Sequence, residues 1–236
     1  MKKTIQTFRY LFKSFSGVTL IGFLIVLGNV AIVDLVFYLT DRAYGAHQVV
    51  GLMGPFEVTD AIFVFLISLI LLVPNFKVVL ANGISRKTFL LANLPAAVMV
   101  AAALSIFNLV VVLVHGLFWP INFISALLYP DMNWVGILAL QFGLYFLSIV
   151  AGWFVTLAYY RSSIPVKWAI SLAPFVLYTM LSAANTRSGG AIYTSIGSYL
   201  RRSMSGPYSA AGSWLAYSVI LCGLVYLLIR RAPLKE

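Results

Sequence analysis

The chain has little of what soluble proteins use to meet water or to perform chemistry. Of its 236 residues only 9% are charged, and only six are Asp or Glu. Globular domains carry about 25% charged residues, so a water-solvated surface is excluded by that scarcity. There is one cysteine, Cys222, so no intrachain disulfide can form. The only histidines are His47 and His115, too few beside one cysteine for a zinc site. The pattern GxxxxGKS/T is absent, so the chain holds no P-loop for ATP, and HExxH is absent too. A serine–histidine catalytic pair would have to meet within the fold. Ser85 lies in a basic connection and His115 toward the opposite end of an apolar run, which places them far apart. The chain reads as a non-enzyme with no cofactor.

What is present is apolar. Hydrophobic residues make up 62% and the mean hydropathy is +0.99, more than a folded soluble domain can hide. A bilayer accepts such surface at roughly 20 apolar residues per crossing. The expected fold is therefore an all-α integral membrane protein, one transmembrane domain over residues 1–236. Six spans are expected near 18–40, 61–80, 89–118, 135–159, 166–184 and 210–229. Aromatic residues mark several span edges, among them Trp119, Trp134, Tyr159, Tyr160 and Trp168, as interfacial belts do. Proline within a span is tolerated where neighbours satisfy the freed backbone groups, so Pro174 predicts a kink rather than a stop.

Residues 1–16 begin with basic charge, but Arg9 and Lys13 interrupt what would be the apolar core of a signal peptide. Ile5, Phe8, Phe12 and Phe15 recur at helical spacing, opposite Lys2, Gln6, Arg9 and Lys13. That pattern suits an amphipathic helix in the cytoplasmic interface, with a plain basic flank as the other reading. Charge sets the orientation. With the amino terminus inside, twelve of the 16 Lys and Arg fall inside; Arg42, Arg187, Arg201 and Arg202 fall outside. The acids Asp41, Glu57, Asp60 and Asp131 fall outside, and Asp34 falls within the first span. The positive-inside rule then places both termini in the cytoplasm, with the basic flanks against anionic lipid rather than nucleic acid. Residues 185–209 carry three of the outside arginines. They are expected to form short interfacial helices, since Ala191, Ile192, Ile196 and Leu200 make a weak stripe; the competing explanation is an error in the span count.

Small residues recur every four positions at Ala97, Ala101 and Ser105, and at Ser148 and Gly152, forming ridges along which helices can approach closely. No internal repeat is visible, so an inverted-repeat transporter within this chain is not supported. Asp34 and His115 are ionisable groups in or near spans and so candidate functional groups, although both sit toward span ends where headgroup contact lowers their cost. Asn108 and Gln141 are expected to hydrogen-bond between helices.

The most informative segment is the connection from Asn75 to Leu94. Asn82–Gly83 signals a turn. Ser85 can cap the helix that follows, and Arg86 and Lys87 present cations on the cytoplasmic face. An Asn-Gly turn followed by Ile-Ser-Arg-Lys-Thr-Phe, directly after one span and opening the next, resembles the pattern in permease subunits of type-2 ABC exporters. The likeness is to small bacterial permeases associated with export of, or immunity to, peptides and other amphiphiles. The layout of amphipathic amino-terminal helix, six spans and cytoplasmic termini is also similar. That resemblance implies a plasma-membrane permease paired with a second permease subunit and served by a separate cytoplasmic ABC ATPase. Asn82, Gly83, Ser85, Arg86, Lys87 and Thr88 would then form a coupling helix seated on the ATPase, with residues 160–167 as a smaller contact. The scarcity of polar lining points to an amphiphilic or lipid-like substrate. Two other readings stand beside it. One is the substrate-capture membrane subunit of a vitamin uptake system, which would hold a buried polar pocket near the outer face lined by residues such as Asp34, Asn108 and His115. The other is a membrane scaffold or immunity protein that transports nothing.

Overall fold

The computed structural model describes residues 5–14, 56–115 and 133–230, together with positions 17, 20, 24, 28 and 129. Among the described residues the chain is all helix. Helix α1 covers 5–14. It is followed by α2 (Phe56–Ala81), α3 (Arg86–His115), α4 (Trp134–Arg161), α5 (Ile164–Arg187), α6 (Ala191–Ser203) and α7 (Pro207–Arg230). Five of these, α2, α3, α4, α5 and α7, are long and apolar enough to cross a membrane. They answer to the second through sixth expected spans. The first, near 18–40, lies outside the described residues apart from helical positions 20, 24 and 28. The helices continue unbroken through Pro74, Pro95 and Pro174.

Helix α4 is the hub, packing against α7, α2 and α3. It lies parallel to α2 in a constant register. Gln141 meets Glu57, Gly152 meets Ser68, and the Thr156 hydroxyl donates to the Leu69 carbonyl at 3.1 Å. Gly152 permits this approach: a Cβ there would lie 2.7 Å from Ser68 Cβ and 2.8 Å from the Phe65 carbonyl oxygen. A second close approach, at Gly143, brings α4 against Ala211 and Trp214 of α7. On α3 the ridge Ala97, Ala101 and Ser105 is buried, as its spacing implies. Large side chains fill the space between these contacts, with Trp153, Tyr145, Phe76 and Phe89 fully buried. Outward-facing Leu66, Ile70, Ile106, Val110, Val219 and Leu227 are exposed, the inverse of a soluble protein and the surface that lipid covers.

One element differs from the sequence reading. Helix α1 turns Thr7 and Leu11 into the bundle, and Leu11 is fully buried; Ile5 of the expected phenylalanine-rich stripe is exposed, and Phe8 and Phe12 are half-buried. The Ser14 hydroxyl also reaches Asn75 Oδ1 at 3.4 Å. The helix is thus seated on the bundle by a neighbouring face, with Leu11 part of the hydrophobic core. Within residues 185–209, expected to form short interfacial helices, there is a short helix, α6 (Ala191–Ser203). It is joined to α5 through Gly189 and Gly190, both at positive φ, and is tied to α7 by Ser213 donating to the Ser203 carbonyl at 3.2 Å. Helix α5 has no buried residue and makes few contacts, with α4 and α6.

The α2–α4 contact can be tested directly. Gly152→Val should cost about 1–3 kcal/mol through overpacking and lower the thermal midpoint of the detergent-solubilised protein. Gly212→Ala, where a Cβ meets nothing within 4 Å, should leave it unchanged or slightly raised. Equal midpoints for Gly152→Val and the native chain would contradict this packing.

Candidate functional site

The two ends of the bundle are chemically different. At one end the chain turns between α2 and α3. Gly83 adopts φ +72°, a left-handed conformation that glycine enters without penalty. This lets the Gly83 N–H reach the Leu80 carbonyl at 2.9 Å and the Ile84 N–H reach the Val79 carbonyl at 3.3 Å, the paired bonds that close a helix at a left-handed glycine. The Asn82 side-chain amide adds a bond to the Val78 carbonyl at 2.8 Å. Ser85 then caps α3: its hydroxyl accepts from the Thr88 N–H at 3.1 Å and lies 2.9 Å from the Thr88 hydroxyl. The turn is therefore pinned on both sides. Arg86 fixes it to the bundle by donating to the Arg230 carbonyl at the end of α7, at 2.9 Å. Asn82, Gly83, Ser85 and Lys87 remain exposed, and Arg86 and Thr88 are half-buried.

Basic side chains collect at this end. Arg161 donates to the Leu228 carbonyl at 3.3 Å, and Lys167 lies over the Tyr159 ring at 5.1 Å. The Ser14–Asn75 contact brings α1, with exposed Arg9 and Lys13, to the same end. The six residues expected to act together at 82–88 are thus assembled on one compact, capped, cationic knob.

The opposite end holds a buried polar cluster that the sequence reading did not assemble. Glu57 and Asp60, expected in the outer connection, instead occupy the first two turns of α2 and are buried. The helix begins before Ala61 because both carboxylates find donors inside the bundle. The Asn108 side-chain amide of α3 donates to Asp60 Oδ2 at 2.6 Å and to the Tyr145 hydroxyl of α4 at 2.5 Å. Gln141 of α4 donates to Glu57 Oε1 at 3.1 Å. Burying a carboxylate costs several kcal/mol unless such bonds offset it. Asn108 and Gln141 do bond between helices, as expected, and their partners are acids rather than other amides. Both amides spend their nitrogen on this task. Asn108 Oδ1 and Gln141 Oε1 are left without hydrogen-bond partners.

Glu57 and Gln141 also border a largely apolar pocket of about 150 Å³ between the starts of α2, α4 and α7, which Tyr129 and Met204 line as well. The Tyr129 hydroxyl donates to the Met204 carbonyl at 2.6 Å, and burial raises its pKa above the ordinary value. Of the other expected groups, Asp34 lies outside the described residues, and His115 closes α3 with its side chain outside them. Asn108 and the turn at 82–88 lie toward opposite ends of α3, about 33 Å apart at 1.5 Å per residue. The clue to Glu57 and Asp60 was their spacing: with Val64, Ser68 and Leu72 they continue the buried face of α2. Against known proteins, no family model, no curated protein and no solved structure matches the chain.

Removing the bridging amide tests the cluster. Asn108→Leu leaves Asp60 buried with fewer donors and should destabilise the protein by about 2–3 kcal/mol, read as a lower unfolding midpoint in detergent. Adding Asp60→Leu should restore most of the loss. A midpoint unchanged by Asn108→Leu would show that the amide does not hold the carboxylate.

Proposed function

We propose that the chain is the non-catalytic permease subunit of an ATP-driven transporter of the ABC type, working beside a second permease subunit and moving an amphiphilic, peptide-like or lipid-like substrate across the cell membrane. The observation that carries this reading is the knob at 82–88. A glycine-closed helix end, a serine cap and an arginine clasp to the last helix hold this turn in one conformation. A surface that must transmit force needs rigidity, and cations on it suit a groove on a soluble, separately encoded ATPase. In this reading the knob faces the cytoplasm together with α1, the α4–α5 connection and the end of α7, in keeping with their basic charge. ATP-driven closure of the ATPase would push on the knob, and α2 and α3 would carry that displacement to the far end of the bundle.

The pocket beside Glu57 and Gln141 favours a second reading, a substrate-capture subunit with its ligand site near the outer face. The permease reading is preferred because capture alone gives no role to a braced cationic turn.

The test is co-purification. The tagged chain, extracted gently from its native host, is expected to bring down a P-loop ATPase in stoichiometric amount. Lys87→Glu alone, and Arg86→Glu with Lys87→Glu, should lose that partner while still inserting in the membrane. Lys87 is exposed, so its variant separates docking from folding. ATPase recovery unchanged in both variants would remove the knob from the coupling path.

A further inference from the structure

Helix α5 is out of place by its composition. It is the least apolar of the five spanning helices, and the only one of the five with none of its span buried. A helix bathed in lipid should be the most apolar of a set, because hydrocarbon offers polar groups no partner. Its polar groups also lie in a row. Ser171, Tyr178 and Ser182 are spaced by seven and four residues, which puts them on one side of the helix. Pro174 stands on the same side and leaves the Ile170 carbonyl without the N–H that would close that turn.

Hydroxyls elsewhere in the bundle bond to their own helix. Ser68, Ser105 and Ser218 donate to the carbonyls of Val64, Ala101 and Trp214. On α5 itself Thr179 and Thr186 donate to the carbonyls of Val176 and Ser182. The hydroxyls of Ser171, Tyr178 and Ser182 have no partner among the described residues, and Tyr178 is 69% exposed. The row covers about 16 Å at 1.5 Å per residue in the middle of a 24-residue helix, so it runs through the hydrocarbon rather than along its edge. Unpaired hydroxyls there are costly, so a protein surface that pairs them suits this side of α5 better than lipid does.

We propose that this side of α5 is the seam along which a second copy of the chain packs. The occupant follows from the chemistry of the row. Two copies related by a two-fold axis along the membrane normal run α5 parallel to α5, with every residue at the depth of its own copy. A row that faces itself must be self-complementary. A hydroxyl is, since it both donates and accepts; a charged row is not, and α5 carries no charge between Lys167 and Arg187. Such hydroxyl contacts hold membrane helices together where apolar faces gain nothing over lipid. The seam rests on the permease reading only in naming its second subunit. The pairing is read without an ATPase, so either claim can fail alone.

The experiment is disulfide cross-linking of the full chain in membranes, in a Cys222→Ser background with copper phenanthroline as oxidant. Ser171→Cys, Tyr178→Cys and Ser182→Cys are each expected to give a covalent dimer of twice the 26.0 kDa chain. Val176→Cys and Met180→Cys, exposed on the opposite side of the same helix, should give little. A second measurement uses two differently tagged copies expressed together, one tag recovering the other. Ser171→Leu, Tyr178→Leu and Ser182→Leu combined should lower that recovery about tenfold or more, the modest worth of each membrane hydrogen bond taken three times. Leucine suits lipid, so the triple variant still inserts. Recovery unchanged in that variant would overturn the seam, as would cross-linking equally strong at 176 and 180. A product of another mass would mean a different subunit and would overturn it too. Absence of both dimer and co-recovery, the result if residues 18–40 of the same chain cover this side, would do the same.

Discussion

The near-contact of α2 and α4 at Gly152 sets the geometry on which the rest of the structure depends. With Ser68 Cβ and the Phe65 carbonyl standing where a Cβ would point, the two helices are locked in parallel at one register. That register puts Glu57 beside Gln141 and brings Asp60 to the Asn108 amide that also holds Tyr145. In a membrane no water competes for helix surfaces, so close packing and interhelical hydrogen bonds must hold the bundle. Here they reinforce each other: the glycine contact aligns the polar groups, and the polar groups resist sliding along the contact. A one-residue shift of α2 would rotate both carboxylates away from their donors.

The same helix ends at the capped turn. Helix α2 thus carries a carboxylate cluster in its first turns and the cationic knob just beyond its last, with one buried face through Val64, Ser68, Leu72 and Phe76 between them. Helix α3 returns from the knob to Asn108, which bridges to α4. Knob, hub and polar cluster therefore form one closed mechanical path. The exposed, unpacked α5 stands apart from it.

Much of this was legible in the residues, because in a membrane helix length and apolarity are physically coupled. The spans near 61–80, 89–118, 135–159, 166–184 and 210–229 each coincide with a helix, and the Asn82–Gly83 turn with its Ser85 cap follows from local chemistry that tertiary packing does not alter. The ridge at Ala97, Ala101 and Ser105 was legible for the same reason. Glu57 and Asp60 were misplaced because charge lowers local hydropathy and so shifts the apparent span start to Ala61, although the partners that make their burial tolerable sit 48 and 84 residues away. The seating of α1 on Leu11 was likewise invisible, since a stripe shows which face is apolar and not which neighbour covers it. The cavity follows from three helix starts meeting around Leu140 and Trp214, which no single segment announces.

The central claim is that the chain is a two-ended membrane protein whose cationic knob faces the cytoplasm and whose polar cluster lies toward the outer face. Single-cysteine labelling of intact cells tests it most directly. With Cys222→Ser as background, Lys87→Cys and Ser205→Cys are each exposed to a membrane-impermeant maleimide. The account predicts that Ser205→Cys is labelled on intact cells, and that Lys87→Cys is labelled only after permeabilisation. Labelling of Lys87→Cys on intact cells, with Ser205→Cys protected, would contradict it.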